Sequence, residues 1–166
     1  MKTTNIFLLA LVANFAFGSD VPSVQNSTTK LETVSGADRA PAQELLSAIR
    51  SHSDEKVRVK MRELVQRNKA ELVAITLYDV SDNLKLEAAR ALASVKKKSI
   101  ARALLDASQG LDLAVRGGTE DEGRRKRTKE AFADSLTAIT GIAVNKDWNF
   151  EERTKALKEA IEKLPE

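Results

Sequence analysis

The chain has 166 residues, with 27 Lys+Arg against 24 Asp+Glu, one histidine, seven aromatics and no cysteine. The missing cysteines exclude disulfides, thiolate nucleophiles, cysteine zinc sites and iron-sulfur clusters, and His52 alone supplies no multi-histidine metal site. Any chemistry must rest on carboxylates, lysines or hydroxyls, and no cofactor or metal is expected.

Residues 1–18 read as a cleavable signal peptide: Lys2 gives a positive start, Ile6 to Phe17 is apolar apart from Asn14, and Ala16-Phe17-Gly18 sets small residues at the cleavage positions. The apolar run is a dozen residues, short of the ~20 a spanning helix needs. A secreted or periplasmic protein with no membrane span in its mature chain is the expectation. Cleavage removes one lysine, leaving 26 basic side chains against 24 acidic ones. That balance describes a mixed, solvated surface and disfavours nucleic acid, which calls for a concentrated positive face.

Residues 19–40 are rich in Ser, Thr and Asn, with Pro22 and Gly36 as breakers, and are read as a flexible tether. Asn26-Ser27-Thr28 has the form of a glycosylation acceptor. Residues 41–166 are then expected to form one helical domain, since after Pro22 only Pro41 and Pro165 remain, one as a first-turn residue and one as a terminator. Leu45, Leu46 and Ile49 make the first apolar face, Val57, Met61, Leu64 and Val65 the second, and Leu72, Val73, Ile75, Thr76 and Leu77 the third.

A fourth helix is predicted from Leu84 to Val95 behind the Ser81-Asp82 cap, and a fifth from Ser99 to Ala107, ending near Gly110. The fourth carries Ala88, Ala89, Ala91 and Ala93 around Leu92, so neighbours can approach it on more than one side. It should be an inner helix. Residues 110–127 read as a charged insertion interrupted by Gly117-Gly118 and Gly123. Lys129 to Ile139, with Phe132, Leu136 and Ile139 on one stripe, should stop at Gly141. The last helix follows Asn149 and bears Phe150, Leu157, Ile161 and Leu164.

Comparing the chain with itself reveals tandem helix pairs. A shift of 28 residues superposes Ser53 on Ser81, Asp54 on Asp82, Arg62 on Arg90, Leu64 on Leu92, Lys69 on Lys97 and Leu77 on Leu105. The segment Asp82-Asn83-Leu84-Lys85-Leu86-Glu87-Ala88-Ala89-Arg90-Ala91-Leu92 resembles the inner helix of a HEAT-like repeat of the short, phycobilisome-lyase type. Asp54 with Val57-Arg58 is a poorer copy and Thr128 to Gly141 a degenerate third, so the resemblance runs from about Pro41 to Gly141. It implies an all-α fold of stacked antiparallel helix pairs, a short solenoid, with a compact helical bundle as the alternative. The stack would present a long surface to another macromolecule.

Two basic clusters are the candidate site: Lys96, Lys97 and Lys98, and Arg124, Arg125, Lys126 and Arg127. Facing the same way, they would attract an acidic partner. The plainer reading has the lysines complement a helix C-terminus and the arginines neutralised by Glu120-Asp121-Glu122. Trp148 and Phe150 are expected to cover a junction and join the core, and His52 to sit in an exposed turn. Gly117-Gly118 lacks the Lys-Ser/Thr of a phosphate loop, and no nucleophile constellation is present. The expectation is an exported, non-enzymatic binding or scaffolding module with a protein partner of unknown identity. Its rivals are a secreted helical effector and a lyase-like or enzymatic accessory factor.

Overall fold

The computed structural model describes residues 27–113, 119–143 and 150–166, except for the side chains of 112–113, 119–121 and 150. The expectations for the signal peptide, Pro22, Asn26, Gly117-Gly118, Trp148, Asn149 and the Phe150 side chain fall outside these residues. Within them the protein is all-α. Its helices are α1 (Ser27–Glu32), α2 (Arg39–Arg50), α3 (Asp54–Gln66), α4 (Ala70–Ile75), α5 (Asp82–Leu92), α6 (Lys98–Leu113), α7 (Thr119–Thr140) and α8 (Phe150–Ile161). A 3-10 turn over Gly36–Asp38 leads into α2, and another over Thr76–Tyr78 extends α4.

Local chemistry sets the boundaries. Ser53 and Ser81, matched in the 28-residue shift, are both N-caps, accepting hydrogen bonds at 3.4 Å from the backbone N–H groups of Lys56 and Leu84. Gly141 closes α7 with φ +73°, a conformation open to a residue without Cβ, and donates its N–H to Thr137 at 2.8 Å. His52 carries the chain from α2 into α3 with φ 52°.

The helices form two rows. One contains α2, α3, α5 and α7 in contact order; the other contains α1, α4 with its 3-10 turn, α6 and α8. Paired contacts give the directions. Thr128 and Ser135 of α7 donate to the carbonyls of Asp82 and Ala89 of α5 at 3.4 and 2.8 Å, each across 46 residues, so these two helices run parallel side by side. In the other row Lys97 meets Glu71 across 26 residues and Tyr78 meets the Ala103 carbonyl across 25, so α6 follows α4 in the same sense. Alternate helices lying parallel and adjacent are what stacked pairs produce, whereas an up-down bundle sets them diagonally.

The alanine-rich α5 lies inside this arrangement. It packs on α3 along one flank, on α7 along the other and on α4 with its 3-10 turn beneath. Ala88, Ala89 and Leu92 are fully buried. The small side chains let α7 come close enough for Ser135 to donate both to its own Ala131 carbonyl and to Ala89.

Three expectations are corrected. Residues 27–40 are not a tether: α1 buries Leu31, the Ser27 hydroxyl bonds the buried Asp79 carboxylate, and α2 begins at Arg39. Two well-placed anchors offset the ordering entropy of a polar segment. The fifth helix does not stop near Gly110 but runs to Leu113, burying Leu111 on the way. Nor does the charged insertion interrupt the helix at Gly123, which lies inside α7; a lone glycine costs a helix only about 1 kcal/mol.

Candidate binding surface

The two basic clusters do not form one patch. Thr128 sits against the first residue of α5, which places Arg124 to Arg127 at that end, while Lys96 follows the other end. Eleven helical residues, about 16 Å of helix, lie between. Lys97 pairs with Glu71 at 2.9 Å, and Lys98 pairs with Glu166 at 2.8 Å and Glu162 at 3.8 Å, so both act as ties between helices. Lys96 is exposed. Arg124, Lys126 and Arg127 are exposed, Arg125 is half-buried, and the Arg127 Nε donates to the Gly123 carbonyl at 3.4 Å. The neutralisation expected from Glu120 and Asp121 involves side chains outside the described residues, and Glu122 is exposed.

A cluster that sequence reading passed over lies between α3 and α5. Glu87 is buried, and its carboxylate meets Arg58 Nε at 3.4 Å and Arg90 Nη1 at 3.5 Å, with Glu55 reaching the far side of Arg58 at 3.2 Å. The Arg58 Nε and Glu87 Oε2 atoms are shut off from solvent and misaligned for a hydrogen bond, so Coulomb attraction alone joins them. Arg62, one turn beyond Arg58, is exposed, as is Val59. The signal was present in the 28-residue shift, which put Arg62 over Arg90, but a match of two arginines does not say that a buried carboxylate lies beneath them.

The solvent face of α3 and α5 thus carries Arg58, Arg62 and Arg90, and Arg127 is exposed near the start of α7. Guanidinium groups offer paired donors matched to carboxylates. At the N-terminal ends of α3 and α5 there is also a recess of about 390 Å³ bounded by Arg50, His52, Ser53, Asp54, Ser81 and Asn83. A wider depression lies over α2 beside Glu44 and Lys60. Glu44 is held below the usual carboxylate range by its hydrogen bond from Arg67, assisted by Lys60.

Titration is perturbed most where the 3-10 turn after α4 meets α6. Burial pushes the Tyr78 phenol upward, with nearby Asp106 adding to the shift; the ring edge is open to solvent while the hydroxyl lies 3.4 Å from the Ala103 carbonyl. Asp106 is itself raised by desolvation, against the pull of Lys158 and Arg102, although one side of it faces water. Among the described residues no group of three or more His, Asp or Glu side chains is disposed to hold a metal ion, and no helix is long and apolar enough to cross a membrane.

No known family, characterised protein or solved structure matches this chain. What the surface can do must be argued from its own groups. Its arginines are positioned to grip carboxylates, and the two perturbed acids are Tyr78, in the 3-10 turn after α4, and Asp106 of α6.

Proposed function

We propose that this chain is an exported, non-enzymatic protein-binding or scaffolding module built of HEAT-like helical repeats, and that its partner docks on the solvent face of α3, α5 and α7. The observation that carries this reading is the row itself: α3, α5 and α7 are joined flank to flank, and each exposes an arginine, Arg62, Arg90 and Arg127. A broad face with guanidinium anchors suits a partner surface carrying carboxylates. The signal-like residues 1–18 support export.

The test begins with export. Intact mass of the exported chain should correspond to a start at Ser19; retention of residues 1–18 would defeat the localisation. Partner capture with the mature chain is then compared with an Arg62→Glu variant, whose exposed position should leave the melting temperature unchanged. A protein held by the wild type and lost by the variant supports the reading, and equal capture by both moves the docking site elsewhere. The enzymatic rival would centre on Asp106, whose raised pKa is the one feature in its favour. Turnover in an activity screen, abolished by Asp106→Asn, would replace the binding role with catalysis.

A further inference from the structure

α3 and α5 run parallel and in register. Their N-terminal ends border one recess, with Ser53 and Asp54 on one side and Ser81 and Asn83 on the other, and farther along Arg58 meets Glu87, one residue beyond the 28-residue offset of the repeat. Carried one turn on, that register sets Arg62 of α3 level with Arg90 and Ala91 of α5. Three guanidinium groups are thereby gathered about Glu87: Arg58 at 3.4 Å, Arg90 at 3.5 Å, and Arg62 one turn beyond Arg58 on the same side of α3. The Glu87 side chain is only 10% exposed, and its Oε2 oxygen accepts no hydrogen bond. Arg62 is exposed and pairs with no acid among the described residues. A buried carboxylate so poorly bonded adds little stability, since an apolar side chain of similar volume would serve the fold as well or better. What it does is draw two arginines from different helices to one point.

We propose that Arg58, Arg62 and Arg90 form a site for a single carboxylate from an acidic side chain of the partner, and that Glu87 is the positioning residue that sets the valence the site accepts; that the carboxylate comes from a partner rests on the docking face argued above. Three arginines against Glu87 and Glu55 leave one positive charge in excess. One carboxylate cancels it, and its two oxygens match the paired donors of a guanidinium. A phosphate monoester carries nearly two charges at neutral pH, so it would overfill the site and press against a carboxylate already shielded from water. The site therefore favours an aspartate or glutamate over a phosphorylated residue.

The full chain is titrated with three end-capped synthetic peptides of one Gly/Ser sequence that differ at a single position, occupied by glutamate, phosphoserine or serine, and the arginine Nε–H signals are followed by nuclear magnetic resonance. The expected result is that the glutamate peptide moves the signals of Arg58, Arg62 and Arg90 at lower concentration than the phosphoserine peptide, and that the serine peptide moves none. Arg62→Gln should weaken the glutamate peptide about tenfold, the worth of one charge-assisted hydrogen bond. Glu87→Gln raises the excess to two charges and should turn the preference toward phosphoserine, whereas a residue that served only the fold would leave the preference where it was. Should Glu87→Gln fail to fold, the exposed Glu55→Gln raises the charge in the same way and should narrow the preference. A wild type that prefers phosphoserine or takes neither peptide overturns the site, and so does a preference that neither substitution moves. Partner capture still lost on Arg62→Glu would then leave the docking face standing without this ligand; equal capture with the peptide preference intact would remove the docking face and leave the carboxylate site.

Discussion

α5 and α8 are of nearly equal length and both amphipathic, yet the stack uses them in opposite ways. α5 has neighbours on three sides and meets them with alanines, so backbones come close and one serine of α7 can reach across to its carbonyl. α8 has the stack on one side only and meets it with Leu157 and Ile161, larger side chains that span a wider gap. Small residues mark a helix that others must approach; large ones on a single stripe mark a helix that only has to lie down.

The contrast is broken most severely at Leu92. Leu92→Asp places a carboxylate at a fully buried position of α5, and should cost more than about 4 kcal/mol, enough to leave the chain unfolded at room temperature. A charge at the equivalent depth of α8 should be far less damaging if that helix is an end piece. Chemical denaturation of Leu92→Asp and Leu157→Asp side by side measures the difference, and equal losses would erase the distinction between inside and end.

Next in size is Asp79, the buried acid that fixes the chain entering α5. It accepts from the Ser27 hydroxyl and, at 2.8 Å, from the backbone N–H of Ser81, the residue that caps α5. Asp79→Ala leaves both donors unpaired, a loss of about 2 kcal/mol, and should release α1 as well. Hydrogen exchange should therefore speed up over residues 27–34 as well as at 81–84. Faster exchange at the cap alone would mean that α1 is held by Leu31 without help from the carboxylate.

That coupling explains how much could be read in advance. The inner position of α5 was legible because alanines on several faces have one physical use, and the twin caps at Ser53 and Ser81 were legible because cap chemistry is local. α1 was not, since its anchor is a contact between Ser27 and Asp79 across 52 residues and its own composition is that of a loop. The Arg58–Glu87–Arg90 cluster stayed hidden for the same reason: Glu87 looks like one more surface acid in a charged helix until α3 covers it. Nor does local pattern foretell that α8 runs antiparallel to α6, because the contacts that show it, Lys98 with Glu166 and Arg102 with Glu162, join residues 68 and 60 positions apart.

A smaller effect separates α6 from its neighbours by pH. Asp106 holds its proton more tightly in the folded chain than at its ordinary value of 3.8, because desolvation outweighs Lys158 and Arg102. The folded state therefore carries more proton than the unfolded one just above that value, and stability contributed by this site falls as pH rises through the window up to the raised value. Glu44 and Glu162 are lowered by their arginines and work in the opposite sense, gaining stability as pH rises. The difference between Asp106→Asn and wild type isolates the site: the variant should melt higher than wild type at neutral pH, with the gap closing as pH falls toward the ordinary value. A gap independent of pH would assign the change to packing and not to charge.

The least consequence is expected where sequence reading first looked. Arg124, Lys126 and Arg127 stand in the second and third turns of α7, exposed, and glutamine matches their helix propensity closely, so replacing all three should shift stability by less than about 0.5 kcal/mol. The comparison with Lys97 and Lys98 sharpens this. Those two tie α6 to α4 and to the chain end, and Lys98→Gln loses two acidic partners while its own side chain is mostly covered. It should therefore cost more by itself than the three α7 substitutions together. Thermal melts of the two variants decide the matter: a larger loss from the α7 set would mean that those cations neutralise something essential to the fold, and would remove them from the surface open to a partner.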